Sequence, residues 1–135
     1  MKVAFFYGLF MDKASLEDQG LKPANVRLAS LPGYQLRIGE RATLVSQEGA
    51  CAYGTVMELE EDELDKLYAG RGVEDYVPVA VKAELMNGDS IEAISYVLPL
   101  SLLSGSNSEY ATELAAIAKR LGLANRYIGE IEAWV

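Results

Sequence analysis

The 135-residue sequence contains no histidine. That absence removes His-based triads, imidazole general bases and most zinc sites, so any chemistry falls to carboxylates, tyrosines, serines or backbone amides. The segment richest in such possibilities is Phe5 to Asp12, FFYGLFMD. A glycine that leaves a strand just ahead of a helix can aim several N–H groups into one concavity, and such a concavity suits a carboxylate. On this reading the amides of Gly8, Leu9, Phe10 and Met11 form the anion site, and Gly8 adopts a backbone conformation that residues with a Cβ resist. The alternative is that Gly8 only makes a tight turn and the three apolar residues after it pack on the core. Elsewhere, Cys51 lies in a strand pattern without a cationic neighbour in sequence, as an inert buried thiol would. The acidic run from Glu58 to Glu63 fits a helix N-terminus, although clustered carboxylates can also bind a divalent ion weakly.

These groups need elements to hold them. Lys2 to Tyr7 is β-branched and aromatic and reads as a buried strand. Asp12 is placed to cap a short helix running toward Gly20. Val26 to Ser30 predicts a strand, Pro32-Gly33 a turn, and Tyr34 to Ile38 a half-buried strand. Ala42 to Val45, a turn at Gln47 to Gly49, and Ala50 to Leu59 follow, with Gly54 marking a bulge or a close backbone approach. Glu60 to Tyr68 predicts a helix that buries Leu64, Leu67 and Tyr68 on one face. Tyr76 to Met86 and Ser90 to Val97 flank Asn87-Gly88-Asp89, a hairpin signal, and Pro78 belongs at an edge. Ser106-x-x-Glu109 has the pattern of a capping box ahead of a helix with Tyr110, Leu114, Ile117 and Leu121 along one stripe. Ala124 to Val135 predicts a helix or strand folding back over apolar surface. Seven short strands with isolated helices indicate an α+β fold with a mostly antiparallel or mixed sheet, able to curl into a barrel.

The length predicts a single domain over residues 1–135 with a core of its own. Half of the residues are hydrophobic, 24% are charged and the mean hydropathy is +0.07, an ordinary globular balance. A net charge of −8 has the wrong sign for gripping nucleic acid or an anionic membrane surface, so neither is an expected partner. No apolar run approaches the roughly 20 residues that span a bilayer. With one cysteine and no secretory leader pattern at the start, the expected location is cytoplasmic. No cofactor or metal is called for, and the oligomeric state is open.

The order of short motifs is more telling than any one of them. A Tyr7-Gly8 loop follows the first strand, and a G-x-V-x-E-L strand (Gly54, Val56, Glu58, Leu59) comes later. An acid-rich helix carrying Leu64-Asp65 is next, then a glycine-rich loop and Tyr76 with alternating valines. Over about residues 2 to 97 the chain resembles the γ-glutamylcyclotransferase-like superfamily, which includes the AIG2-like proteins. The resemblance implies a small, mixed and mostly antiparallel β-barrel with flanking α-helices and a cavity at one end. It also implies that the loop's amides hold the α-carboxylate of a γ-glutamyl substrate whose own amine closes 5-oxoproline.

Residue by residue, Tyr7 and Gly8 match, whereas Leu9 and Phe10 stand where the family has a small hydroxyl residue and its neighbour. Backbone donation survives that change, and a hydroxyl contact does not. The family's acid/base glutamate follows the L-D pair, and its place here falls at Tyr68, or at Ala69 or Gly72 when counted back from Tyr76. None is acidic. The nearest carboxylates are Glu74 and Asp75, with Glu63 and Asp65 on the helix before them. Glu74 lies two residues before Tyr76, so both would share a strand face, which makes Glu74 the candidate acid/base and Tyr76 its partner at the reacting group. Tyr68 and Tyr76, with ordinary pKa values near 10, suit hydrogen-bond donation better than base catalysis. Arg41, near the implied rim, either pairs with a ligand carboxylate or sits at the surface against Glu40. The implied ligand is a γ-glutamyl compound or similar small carboxylate. Either slow cyclotransferase chemistry or silent binding of a small acid or a protein partner would fit the missing glutamate.

Overall fold

The computed structural model describes residues 1–70 and 73–135. Its centre is a closed barrel of five strands in the order β1-β3-β2-β4-β5. β1 (Lys2–Phe6) leads into a 3-10 turn at Leu9–Met11 and then α1 (Lys13–Asp18). The Asp12 side chain accepts from the Ala14 N–H at 3.2 Å, the expected cap. β2 (Ala24–Ile38) and β3 (Ala42–Leu59) form a long antiparallel ladder, followed by α2 (Glu61–Tyr68). β4 (Val77–Leu85) and β5 (Ser90–Val97) make the hairpin around Asn87-Gly88-Asp89. β5 then pairs in parallel with β1 at Ala4 and Ile94, closing the barrel. α3 (Ser108–Leu121) and α4 (Asn125–Glu132) pack together outside it.

Two expected turns are not turns. Pro32-Gly33 and Gln47 to Gly49 lie opposite one another within the β2–β3 ladder, where pairing jumps from Pro32 and Cys51 to Tyr34 and Ser46. Gly33 (φ +84°) and Gly49 (φ +82°) take up the irregularity, so four expected strands are two long, bulged ones. A left-handed glycine marks a hairpin turn and a bulge alike, and only the pairing distinguishes them. The long bent ladder is also what lets so few strands close.

Other expectations need smaller corrections. The α3 cap is Asn107, whose Oδ1 accepts from the Tyr110 N–H at 3.0 Å, rather than Ser106 in a capping box. Asn107→Ala should therefore cost about 1 kcal/mol in urea denaturation, with Ser106→Ala near neutral. Equal effects would return the cap to Ser106. α2 begins at Glu61 with Glu60 as its cap, and the Glu60 N–H donates to Glu63 Oε1 at 3.0 Å. The final segment is a helix that buries Tyr127, Ile128 and Ile131, but Trp134 is 41% exposed and covers little.

Gly54 makes the close approach that its position in a strand suggests. A Cβ there would lie 2.0 Å from the Phe6 carbonyl oxygen, so β3 presses on the end of β1 where the chain turns into the Tyr7-Gly8 loop. Pro78 pairs only with Tyr96 of β5, because β4 meets β2 near its other end, at Glu84 and Leu85. Among the described residues no helix is long and apolar enough to cross a membrane.

Candidate ligand-binding cavity

β1 delivers Tyr7 and Gly8 to one end of the barrel, where the chain tightens into the 3-10 turn. The Met11 N–H donates to the Gly8 carbonyl at 3.0 Å and the Asp12 N–H to that of Leu9 at 3.3 Å. Among the described residues, the Leu9 and Phe10 amides reach no backbone carbonyl. The Leu9 N–H instead faces the phenol oxygen of Tyr110. Met11 lies apart from this group. Its side chain is fully buried in the core, and its carbonyl accepts from Thr55 Oγ1 at 3.0 Å.

Gly8 is needed for a different reason from the expected one. Its φ of −101° and ψ of −153° are extended, and side-chain-bearing residues adopt them. Space is what is missing, since a Cβ at Gly8 would lie 2.6 Å from Tyr110 Oη.

The turn opens onto a cavity of about 180 Å³. Its wall is apolar and rich in phenols: Tyr7, Tyr68, Tyr76, Tyr96 and Tyr110 all reach it. Tyr68, from the end of α2, stacks on Tyr96 of β5 with centroids 3.8 Å apart and planes at 11°. Phe10 meets Tyr68 edge-on at 5.9 Å, and the Tyr76 ring lies 6.2 Å from that of Tyr68. Two phenols are tied to the barrel. Tyr7 donates to the Tyr96 carbonyl at 2.7 Å, and Tyr76 to that of Ala42 at 2.5 Å.

Burial sets the protonation of this wall. It pushes Tyr76 up to about 12. Tyr7, Tyr68 and Tyr110 are raised as well, first through burial and then through neighbouring phenols, Tyr76 foremost. At neutral pH every one is a neutral hydrogen-bond donor and none can act as a base. In the unfolded chain a phenol loses its proton near pH 10. In the folded chain Tyr76 holds it to about 12, so this contribution is complete below pH 10 and is lost as pH rises past it. Cooperative loss of the circular dichroism signal above pH 10, together with a jump in tyrosinate absorbance, is the expected outcome. Gradual ionisation at pH 10 with the fold intact would contradict it.

Charged groups are confined to the rim, where Glu40 and Arg41 line the cavity from the β2–β3 connection. Arg41 pairs with Asp75 at 3.0 Å, the two side chains being 30% and 48% exposed. Glu74 is exposed and does not line the cavity. The strand begins only at Val77, so alternation does not extend back to Glu74, and Tyr76 is oriented by its bond to Ala42 instead. Of the positions where spacing places an acid, Tyr68 is in the wall, Ala69 ends α2, and Gly72 lies outside the described residues. The structure thus brings together Tyr7, Gly8, Leu9, Phe10, Arg41, Tyr68 and Tyr76. It adds Tyr96, Tyr110 and Glu40. Tyr110 stands at the head of the α3 stripe and reads as core, and nothing local distinguishes Tyr96 from any other strand tyrosine. Among the described residues no three metal-ligating side chains cluster.

The sequence matches the model of the family described as gamma-glutamyl cyclotransferase, AIG2-like, over residues 4–115. No curated protein matches it significantly. Among solved structures, a gamma-glutamyl cyclotransferase superposes with a TM-score of 0.83 at 21% identity, covering 99% of this chain and 88% of the other. An uncharacterized protein from Homo sapiens gives 0.82 at 22% identity, with 99% and 88% covered. A yeast gamma-glutamyl cyclotransferase specific to glutathione gives 0.70 at 13% identity, with 99% and 95% covered. At these identities the likeness is one of fold.

Proposed function

Because the chain belongs to the gamma-glutamyl cyclotransferase, AIG2-like family, we propose that the barrel-end cavity binds a γ-glutamyl compound or related small carboxylate and releases 5-oxoproline from it slowly. The observation that carries this reading is the tight turn at the mouth of the phenol-lined cavity, where, among the described residues, the Phe10 amide is claimed by no backbone carbonyl and the Leu9 amide meets only the Tyr110 hydroxyl, a contact that a carboxylate would replace. Two N–H groups on one tight turn suit the two oxygens of an α-carboxylate. The apolar and phenolic wall then covers the chain that leads to the γ-carbonyl.

Ring closure moves the ligand's α-amine onto its γ-carbonyl carbon and breaks the amide bond to the departing amine. It requires a group that removes a proton from the ammonium and returns one to the leaving nitrogen. The neutral phenols do not supply it, and that deficit makes turnover slow.

Gly8→Val tests the binding site. Its side chain must displace the Tyr110 hydroxyl, so stability should drop by about 1–3 kcal/mol. Affinity for 5-oxoproline, measured by calorimetry on the folded variant, should fall about tenfold or more as the turn shifts. Unchanged affinity would place the ligand elsewhere.

A further inference from the structure

Glu40 is the acidic residue of the cavity lining among the described residues. Glu40 is exposed, but its backbone is held at two points and its side chain packs against one neighbour. Its N–H donates to the Ser104 carbonyl at 2.7 Å, and its own carbonyl accepts from Asn107 Nδ2 at 3.3 Å. The side chain lies over Gly105, whose φ of +69° and missing Cβ leave the space it fills. A Cβ at Gly105 would come within 2.9 Å of Glu40 Cγ and 3.4 Å of Cδ and Oε1. The α3 cap and the segment before it thus hold Glu40 at the rim of a cavity whose other charged lining residue is Arg41, itself paired with Asp75.

We propose that Glu40 receives the α-ammonium of the γ-glutamyl ligand and carries the proton transfer of ring closure. This rests on the binding reading above and extends it to a named group. Glu40 takes one ammonium proton, which frees the nitrogen lone pair to form the bond to the γ-carbon. As the amide C–N bond breaks, Glu40 returns that proton to the departing nitrogen, and the remaining excess proton passes from the lactam nitrogen to water. The α-carboxylate stays on the turn amides, so the two charged groups of the ligand are read by two different loops.

The test compares L-γ-glutamylanilide with glutaric monoanilide, the same molecule without the α-ammonium, by calorimetry on the wild type and Glu40→Gln. Wild type should prefer the ammonium-bearing ligand by about threefold to tenfold. Glu40→Gln, which keeps every backbone restraint, should lose that preference while binding glutaric monoanilide as before. Release of 5-oxoproline from the anilide should fall at least tenfold in the same variant. If wild type binds both ligands and Glu40→Gln keeps both the preference and the turnover, the role of Glu40 is overturned and the cavity stands. If wild type binds neither ligand, the binding reading fails and the role of Glu40 fails with it.

Discussion

Wild-type protein given γ-glutamyl amides should release 5-oxoproline with a kcat of about 0.1 s⁻¹ or less. That lies 10²-fold or more below the roughly 10 s⁻¹ typical of enzymes, the deficit expected when general acid/base assistance is weak. The cause is where the carboxylates lie. Tyr68 occupies the wall at a position where spacing calls for an acid, and burial keeps its phenol protonated. Glu74 stands outside the lining, and Glu40 is at the solvent-exposed rim. A rim carboxylate in water transfers protons less effectively than an enclosed one, whose electrostatic interactions are strengthened by the low dielectric. A kcat near 10 s⁻¹ on any γ-glutamyl amide would show an acid operating inside the cavity and would refute this account of the wall.

Gly54→Ala should destabilise the fold by about 3 kcal/mol or more, the upper range for overpacking. Its added methyl would sit 2.0 Å from the Phe6 carbonyl oxygen and 3.2 Å from the Phe5 ring. Neither can retreat easily, because Phe5 is buried and Phe6 is registered against Thr55 in the β1–β3 ladder. Gly49→Ala is the control: its φ is left-handed, but nothing lies within 4 Å, so only about 1–2 kcal/mol of backbone strain is expected. Urea midpoints for the two variants separate close approach from strain. Equal shifts would mean that β3 does not press on β1 as described.

The barrel class was legible because alternating strands, the Asn-Gly hairpin and the order of short motifs all agree. Strand number was not, since Gly33 and Gly49 carry the same local signature in a bulge as in a turn. The Tyr7-Gly8 loop could be read from a strand meeting a glycine and a helix start. The reason for Gly8 could not, because Tyr110 approaches it from α3, about a hundred residues away in sequence. Tyr96 joins the wall through its stacking on Tyr68, and Glu40 through Gly105 and Asn107. Each is a long-range contact with no local periodicity. The strand-face argument for Glu74 had the opposite weakness, a local rule applied one turn before the strand begins.

The most direct measurement of the central claim is a titration of the ¹⁵N-labelled protein with 5-oxoproline, followed through its backbone amide resonances. If the barrel-end turn holds the ligand's carboxylate, the largest saturable shifts will be at Leu9 and Phe10, with smaller ones at the tyrosines of the wall. Saturable shifts centred anywhere else, with Leu9 and Phe10 unmoved, would contradict it.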